Sequence, residues 1–478
     1  MLEFIEKILN CFKTCFTRHA AFKWFVVIIV GLMPGSDRLG MTSIIRTLAV
    51  EPLLYETMNH FFRASSWRLD VIRQKWMETV QSHAPLWKEG EYTILIGDGV
   101  KQAKEGKRMP GVKKQFQESE NSSKPEYIFG HMFGGIGVLA ASVWKAFCIP
   151  LHINLQDGIQ TILSWKKKEK ETPPSHVVQM IENGYEAAKT FGKSLLLLDR
   201  YFLSVPALEQ LDKSNRSSET ILHLVTKAKK SCTAYEKPPE RKPGRGRPPK
   251  KGGSVKLQEL FMDRTGEFLE ETVMMYEKQE KIRYYCINLL WGQKLYRELR
   301  FVLVEYNGTL SILACTDLFL DPVTVVRLYS YRFKIECTFR EFKQVLGGFC
   351  YRFWSKSMPG LKRYLKKDEK APIDKVNDPG EQERILLTVK AIEGYVMFNC
   401  IAMGIIQMLS LFFSKELQSG SLRFLRTPSK SIVSEATVAD YLRQNIFRIM
   451  AQKPHSSITQ FIKEKQERPD ISEDLRVS

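Results

Sequence analysis

The sequence predicts an α/β fold with helical ends, and three observations carry that reading. Residues 1 to about 90 keep apolar side chains at helical intervals, with little strand signal. From Tyr92 the period changes to short apolar runs, two of which end in an aspartate, with an amphipathic helix between them. A β-patterned stretch then leads to a second amphipathic helix near Arg327, and long helices finish the chain.

Composition narrows the function classes. At 478 residues the chain can form roughly three domains and a substantial core. A hydrophobic content of 44%, with 11% aromatic residues, excludes a disordered chain. The net charge of +19 points to a polyanionic partner, nucleic acid or an acidic membrane face. The nine cysteines are scattered and odd in number, and no pair has C-x2-C spacing. None of the eight histidines sits in an H-E-x-x-H motif, so a structural zinc site is not expected and reduced thiols in a cytosolic protein are. FKWFVVIIVGLM is short, contains Lys23 and lacks a small-residue cleavage site, so it is not read as a signal peptide. VMFNCIAMGIIQMLSLFF has about the length of a membrane span, but Asn399, Gln407 and Ser410 interrupt it. It is expected to be a buried helix, and no transmembrane segment is predicted.

Taken in order, the elements are as follows. SIIRTLAVEPLLYETMNHFFRASSWRLDVIRQKWMETVQ is helical and rich in Arg and Trp, and suits a basic DNA-binding module or a packing domain equally. YTILIGDGV predicts a buried strand that stops at Asp98, where a basic loop, KQAKEGKRMPGVKKQ, begins. EYIFGHMFGGIGVLAAS and KAFCIPLHINLQ are two further strands joined by a turn. Ser175 caps a helix over HVVQMIENGYEAAKTFG, and Gly192 stops it. KSLLLLDRYF is a fourth buried strand, ending in Asp199. If the two Asp-bearing strands lie side by side, both carboxylates share one edge of a sheet, where sites in α/β folds gather. From about Ala228 to Gly253 the chain is polar, Pro-rich and basic, which predicts a mobile loop or linker. An all-β insertion follows, with a hairpin at YNGTLS.

RLYSYRFKIECTFREFKQVLGG reads as one amphipathic helix. At about 100° per residue, Tyr329, Arg332, Glu336 and Lys343 fall within an arc of roughly 60°. Leu328, Ile335, Phe339, Phe342 and Leu346 fill the adjoining arc and face a core. Taken alone, the stripe needs no more than a solvated Arg and Glu four residues apart, worth a few tenths of a kcal/mol.

Asp98, Asp199 and Glu336 together suggest more. Carboxylates about 4 Å apart cost energy when all are ionised and unpaired. Hard Mg²⁺ relieves this with oxygen ligands, and two such ions about 3.5 to 4 Å apart suit phosphodiester chemistry. Arg332 and Lys343 can then grip phosphates, and Tyr329 can donate to a phosphate oxygen or stack on a base. Singly, a strand-end Asp is more often a turn former or helix cap, so the joint pattern carries the inference. His131 and His152 read as core histidines and Cys337 as structural. Lys113, Lys114 and Lys166 to Lys168 read as nonspecific phosphate contacts or solvated faces.

The quoted residues carry a family resemblance. Tyr329, Arg332, Glu336 and Lys343 fill the signature Y-x2-R-x3-E-x6-K, and LIGDGV and LLLLDRYF resemble the contexts of a first and second catalytic Asp. The chain resembles bacterial insertion-sequence transposases of the Asp-Asp-Glu (DDE) type, the insertion-sequence-four family. The likeness covers about residues 90 to 350. It implies a ribonuclease H-like core interrupted by a β-rich insertion. It implies two Mg²⁺ ions per active site, with Mn²⁺ as a substitute, held by Asp98, Asp199 and Glu336. It further implies cutting at the element's terminal inverted repeats, joining to target DNA, and a dimer in the DNA complex. Relatives in this group close a hairpin at each end, helped by a Trp that stacks on a flipped base. Trp291 is the candidate here, with a packing Trp as the equal alternative. Separately, Arg245-Gly246-Arg247-Pro248 resembles an AT-hook core for the minor groove, or serves as a generic phosphate-binding loop.

The expected organisation is a helical DNA-binding region over 1–90, then a first core part over 91–227. The basic loop and β-rich insertion span 228–315, the core helix with the catalytic Glu lies in 316–350, and a helical region covers 351–478. A bacterial cytoplasmic, nucleoid-associated location is expected, with no membrane partner. Two rivals stand beside a transposase: a nuclease of the same fold, and an inactive DNA-binding relic.

Overall fold

The structure is a computed structural model that describes residues 1–35, 37–117, 125–142, 145–165, 174–240, 248–276, 278–364, 371–417 and 432–466. The N-terminal helices are α1 (Leu2–Asn10), α2 (His19–Leu32), α3 (Met41–Leu48), α4 (Tyr55–Phe61) and α5 (Leu69–His83). The first strands are β1 (Lys88–Glu89), β2 (Tyr92–Ala103), β3 (Lys113–Phe116), β4 (Tyr127–Ser142) and β5 (Lys145–Leu155). Next come α6 (Gln160–Ser164), α7 (His176–Phe191), β6 (Ser194–Leu198), α8 (Val205–Arg216) and β7 (Leu222–Lys227).

The order β5-β4-β2-β6-β7 forms one end of the sheet, with β5 at its edge. β5, β4 and β2 are antiparallel, whereas β2, β6 and β7 are parallel. A large mixed sheet with helices at both ends of the chain is consistent with the ribonuclease H-like fold that the resemblance implies. The two parallel steps need crossovers, and α7 and α8 supply them. Ser175 caps α7 by accepting from Val178 N at 3.4 Å, and Gly192 ends it at φ +83°, as its sequence signals predict.

β2 corrects one expectation. The strand does not stop at Asp98 but runs on to Ala103, through the first residues of the expected basic loop. Its pairing with β4 continues from Asp98↔Gly135 to Ala103↔Gly130. A ladder is made by backbone groups, so basic side chains did not prevent it. The rest of that loop is also partly strand, because β3 pairs with β4 from Lys113↔Gly130 to Phe116↔Tyr127.

The insertion comprises β8 (Thr233–Tyr235), β9 (Ser254–Lys256), α9 (Leu260–Asp263), β10 (Leu269–Met275), β11 (Lys278–Trp291), β12 (Arg297–Tyr306) and β13 (Thr309–Cys315). The short helix α9 means that it is β-rich rather than all-β. β13 pairs with β7, so the insertion extends the core's own sheet to thirteen strands among the described residues. The hairpin at YNGTLS is present, with Asn307 and Gly308 both at positive φ between Tyr306 and its partner Thr309. The expected linker over 228–253 is tied at its base by the β8–β9 ladder.

The remaining helices are α10 (Pro322–Tyr329), α11 (Lys334–Gln344), α12 (Pro379–Leu417), α13 (Glu435–Gln452) and α14 (Ser457–Lys463). α12 is the apolar stretch of membrane-span length, and it is buried against α2, α5, α13 and β5. Its polar residues have partners inside: Asn399 donates to the Tyr395 carbonyl at 2.9 Å and Ser410 to the Val433 carbonyl at 2.6 Å. Past Lys23, α2 is apolar on every face, and its side chains from Trp24 to Leu32 are buried. The chain ends are clasped, because Lys23 pairs with Glu464 and Lys453 with Glu3, each at 2.7 Å. Buried side chains from the N-terminal helices, the sheet and the C-terminal helices form one contiguous cluster.

Candidate active site

The apolar run Ile94 to Ile96 is buried and pairs in parallel with Leu195 to Leu197. Ile96 stands opposite Leu197, and each aspartate lies two residues further along, Asp98 within β2 and Asp199 just past the end of β6. Asp98 and Asp199 therefore sit at matching heights on neighbouring strands. Asp98 Oδ1 accepts from the Gly99 N–H at 2.7 Å. Asp199 Oδ1 accepts from the Arg200 N–H at 2.7 Å, capping the turn Arg200–Phe202. The Asp199 carbonyl accepts from Thr226 Oγ1 at 2.9 Å, which ties β6 to β7 at this point.

α11 brings the third carboxylate. It packs on β2 and β5, and Gly135, the residue opposite Asp98, leaves room for the Phe339 ring. A Cβ at Gly135 would come within 2.9 Å of that ring. Glu336 lies in the first turn of α11. Arg332 joins the carboxylates, donating to Asp98 Oδ2 at 3.3 Å and contacting Glu336.

The sequence stripe is not one helix. α10 ends at Tyr329, and α11 begins at Lys334. Between them the hydrogen bonds shorten to three residues, from Tyr331 N–H to Leu328 O through Ile335 N–H to Arg332 O. The tight turn still leaves Arg332 within reach of Glu336 four residues later.

Charge and burial act against each other here. Burial is the main cause that pushes the Asp98 carboxyl up to about 6; Arg332 and the Gly99 N–H oppose it, and Glu336 and Asp199 add to it. Burial likewise raises the Tyr329 phenol, followed by the opposing charge of Arg332 and the reinforcing charges of Asp199, Asp98 and Glu336. The Arg332 guanidinium is raised because its carboxylate neighbours outweigh its burial. Asp98, Asp199, Glu336, Tyr329 and Arg332 thus share one electrostatic neighbourhood.

The donor set suits Mg²⁺, since all three acidic side chains offer hard oxygens and their mutual repulsion favours a cation. Arg332 already bridges two of them. Among the described residues, no three acidic, His or Cys side chains are gathered tightly enough to enclose an ion.

The other expected residues divide. Lys343 lies on α11, and its ammonium donates to the Lys101 carbonyl at 3.2 Å, three residues past Asp98. Trp291 is half-buried at the end of β11, and its indole N–H donates to Cys232 Sγ at 3.2 Å. Arg245 and Arg247 lie outside the described residues. His131 is a core histidine bonded to the Tyr351 hydroxyl and the Pro110 carbonyl. Burial holds both His131 and His152 down at about 3. Lys227, the last residue of β7, was not anticipated. Burial, then Arg200, holds its ammonium below the ordinary range, while Asp199 opposes this. A lysine ending the strand beside the second Asp was the available signal.

The family model described as DDE superfamily endonuclease matches residues 11–265. The match holds Asp98 and Asp199 and ends before Glu336. No curated protein and no solved structure matches the chain.

Proposed function

The chain belongs to the DDE superfamily endonuclease family, and we propose that it is a DNA transposase that excises and integrates its own insertion sequence. The observation that carries this reading is the register of Asp98 and Asp199 on adjacent parallel strands, with Glu336 linked to Asp98 through Arg332. Asp98, Asp199 and Glu336 are the residues that would hold divalent cations. Two Mg²⁺ ions bound there would supply Lewis acidity to the attacking and leaving oxygens of a phosphodiester.

The chain's own residues then do the positioning. A carboxyl that titrates at about 6 is mostly ionised at neutral pH and ready to ligate. Arg332, once released by Asp98 and Glu336, presents two N–H groups to a phosphate. Tyr329 keeps its proton throughout the neutral range, because burial raises its phenol, and it donates to a phosphate oxygen. Lys343 stands on the same helix as a further phosphate contact. Water attacks phosphorus first, releasing a 3′-hydroxyl at the element's end. That hydroxyl next attacks a second phosphodiester and displaces its 3′-oxygen, so one bond forms as one breaks. The signature Tyr329, Arg332, Glu336 and Lys343 supports membership of the insertion-sequence-four group. The partners are the terminal inverted repeats and target DNA, bound by a dimer, in the bacterial cytoplasm.

A nuclease that cuts without joining is the second reading, favoured by the family's description and by a match that stops before Glu336. The test uses the gene with its native flanking DNA on a linear fragment, purified protein and Mg²⁺, with every new end sequenced. Cuts at two flanking inverted repeats and joined products, both absent with Asp199→Asn, support the transposase. Scattered cuts without joining support the nuclease, and undiminished cutting by Asp199→Asn removes the metal site altogether.

A further inference from the structure

The face of the sheet that carries Asp98 continues well beyond it. Cross-strand partners share a face, so Asp98↔Gly135, Val100↔Phe133 and Gln102↔His131 set one side of β2 and β4. The same alternation along β4 brings Phe129 and Tyr127 to that side, with Lys114 and Phe116 opposite them on β3. α11 and the chain after it cover the inner part: Phe133 packs on Phe349, and His131 stacks on Tyr351.

The outer end differs. Phe116 and Tyr127 are each 46% exposed, with ring centroids 5.5 Å apart in an edge-to-face pair. The Lys114 ammonium lies 4.2 Å from the Tyr127 ring, and the Arg363 guanidinium 5.2 Å from the Phe129 ring. The covering segment alternates as it leaves α11, with Tyr351, Phe353 and Ser355 buried and Arg352, Trp354 and Lys356 exposed. Backbone bonds from Ser355 N–H to the Arg108 carbonyl at 3.2 Å and from Leu361 N–H to the Lys107 carbonyl at 2.7 Å fix it in place.

We propose that this outer end is a platform for an unpaired DNA strand leaving the active site, with a base stacked on the Phe116–Tyr127 pair and phosphates at Lys114 and Arg363. The proposal rests on the DNA-cleaving reading above and names how that site holds a strand. Half-exposed rings interleaved with cations suit single-stranded nucleic acid, because every base offers a π-face and every linkage a charge. Duplex DNA hides its base faces and would use the cations alone. Eight residues of β4 separate Gly135 from Tyr127, or about 26 Å at ~3.3 Å per residue. That spans roughly eight nucleotide steps at a stacked spacing of about 3.4 Å. Because Phe349 and Tyr351 cover the face between, a frayed or displaced end must pass over them and be longer than this to reach the platform while its scissile phosphate stays beside Asp98.

The experiment measures binding of full-length protein to a fluorescent 30-nucleotide oligo(dT) and to a duplex of equal length, without divalent metal. Phe116→Leu/Tyr127→Leu, which keeps apolar bulk, is compared with wild type. The expected result is at least a tenfold loss for the single strand, ~1.4 kcal/mol, with duplex affinity within twofold. A second readout, independent of the variant's folding, is photocrosslinking of oligo(dT) carrying 5-iodouracil to wild-type protein. The crosslinked peptides should come from residues 113–129. Unchanged single-strand affinity in the double variant, no single-strand binding by wild type, or crosslinks confined to other segments would each overturn the platform. Site-specific cutting by wild type alongside such a result leaves the DNA-cleaving reading intact. Loss of single-strand affinity in a protein that never cuts DNA would instead leave the platform standing and remove that reading.

Discussion

Asp98→Asn should stabilise the fold, by an amount that depends on pH. Burial is the first cause of the raised Asp98 carboxyl, which titrates at about 6. In the unfolded chain an Asp titrates near ~3.9. Between those values the folded protein holds a proton that the unfolded chain has released, so stability falls as pH rises through the window. Above it, the ionised carboxylate carries a deficit of about 3 kcal/mol, from roughly two pKa units at ~1.36 kcal/mol each. Asparagine retains the oxygen that accepts from the Gly99 N–H at 2.7 Å, and it never ionises. Arg332 keeps Glu336 as a partner in the variant. Urea unfolding followed by tryptophan fluorescence, with both proteins at pH 4 and pH 8, reads the difference directly. The variant's gain should be near zero at the lower pH and about 3 kcal/mol at the higher one. An equal gain at both, or a loss at the higher pH, would refute the idea that burial of this carboxylate opposes folding.

Three further outcomes follow from local geometry and charge. Gly130→Ala should cost about 1–3 kcal/mol, because its Cβ would come within 2.2 Å of the Gln102 carbonyl oxygen; an unchanged thermal midpoint contradicts this. Trp76→Ala should cost about 3–5 kcal/mol, since the ring is fully buried and its N–H donates to the Pro150 carbonyl at 2.8 Å. A shift in the urea midpoint measures that loss. Replacing Arg245 and Arg247 together by Ala should weaken DNA binding and reduce the slope of log K against log salt by about 1.8, at ~0.9 per lost phosphate contact; an unchanged slope removes the basic segment from the interface.

Apolar runs were the most legible part of the sequence. Ile94 to Ile96 and Leu195 to Leu198 announced buried strands, and an Asp following each run suggested the shared edge that the parallel register provides. Boundaries set by backbone bonds were not legible. β2 passes straight through Asp98 into Lys101 and Gln102, because its ladder with β4 does not consult side-chain polarity. The β8–β9 ladder is short and polar, and nothing in its composition separates it from a linker. The break between Tyr329 and Lys334 was hidden for a different reason: a turn closed by three-residue hydrogen bonds still leaves Arg332 in contact with Glu336 four residues on. The Trp291 contact was not legible either, since Cys232 lies 59 positions away and no local pattern points to it. The Phe116–Tyr127 pair required knowing that β3 and β4 are neighbours in that register.

Whether Asp98, Asp199 and Glu336 act as one metal site is tested most directly by isothermal titration of Mn²⁺ into protein bound to a short DNA duplex. Wild type is compared with Asp98→Asn, Asp199→Asn and Glu336→Gln. Each substitution should weaken Mn²⁺ binding at least tenfold, ~1.4 kcal/mol, although the three residues come from different elements. Binding as tight as wild type in all three variants would contradict the assignment.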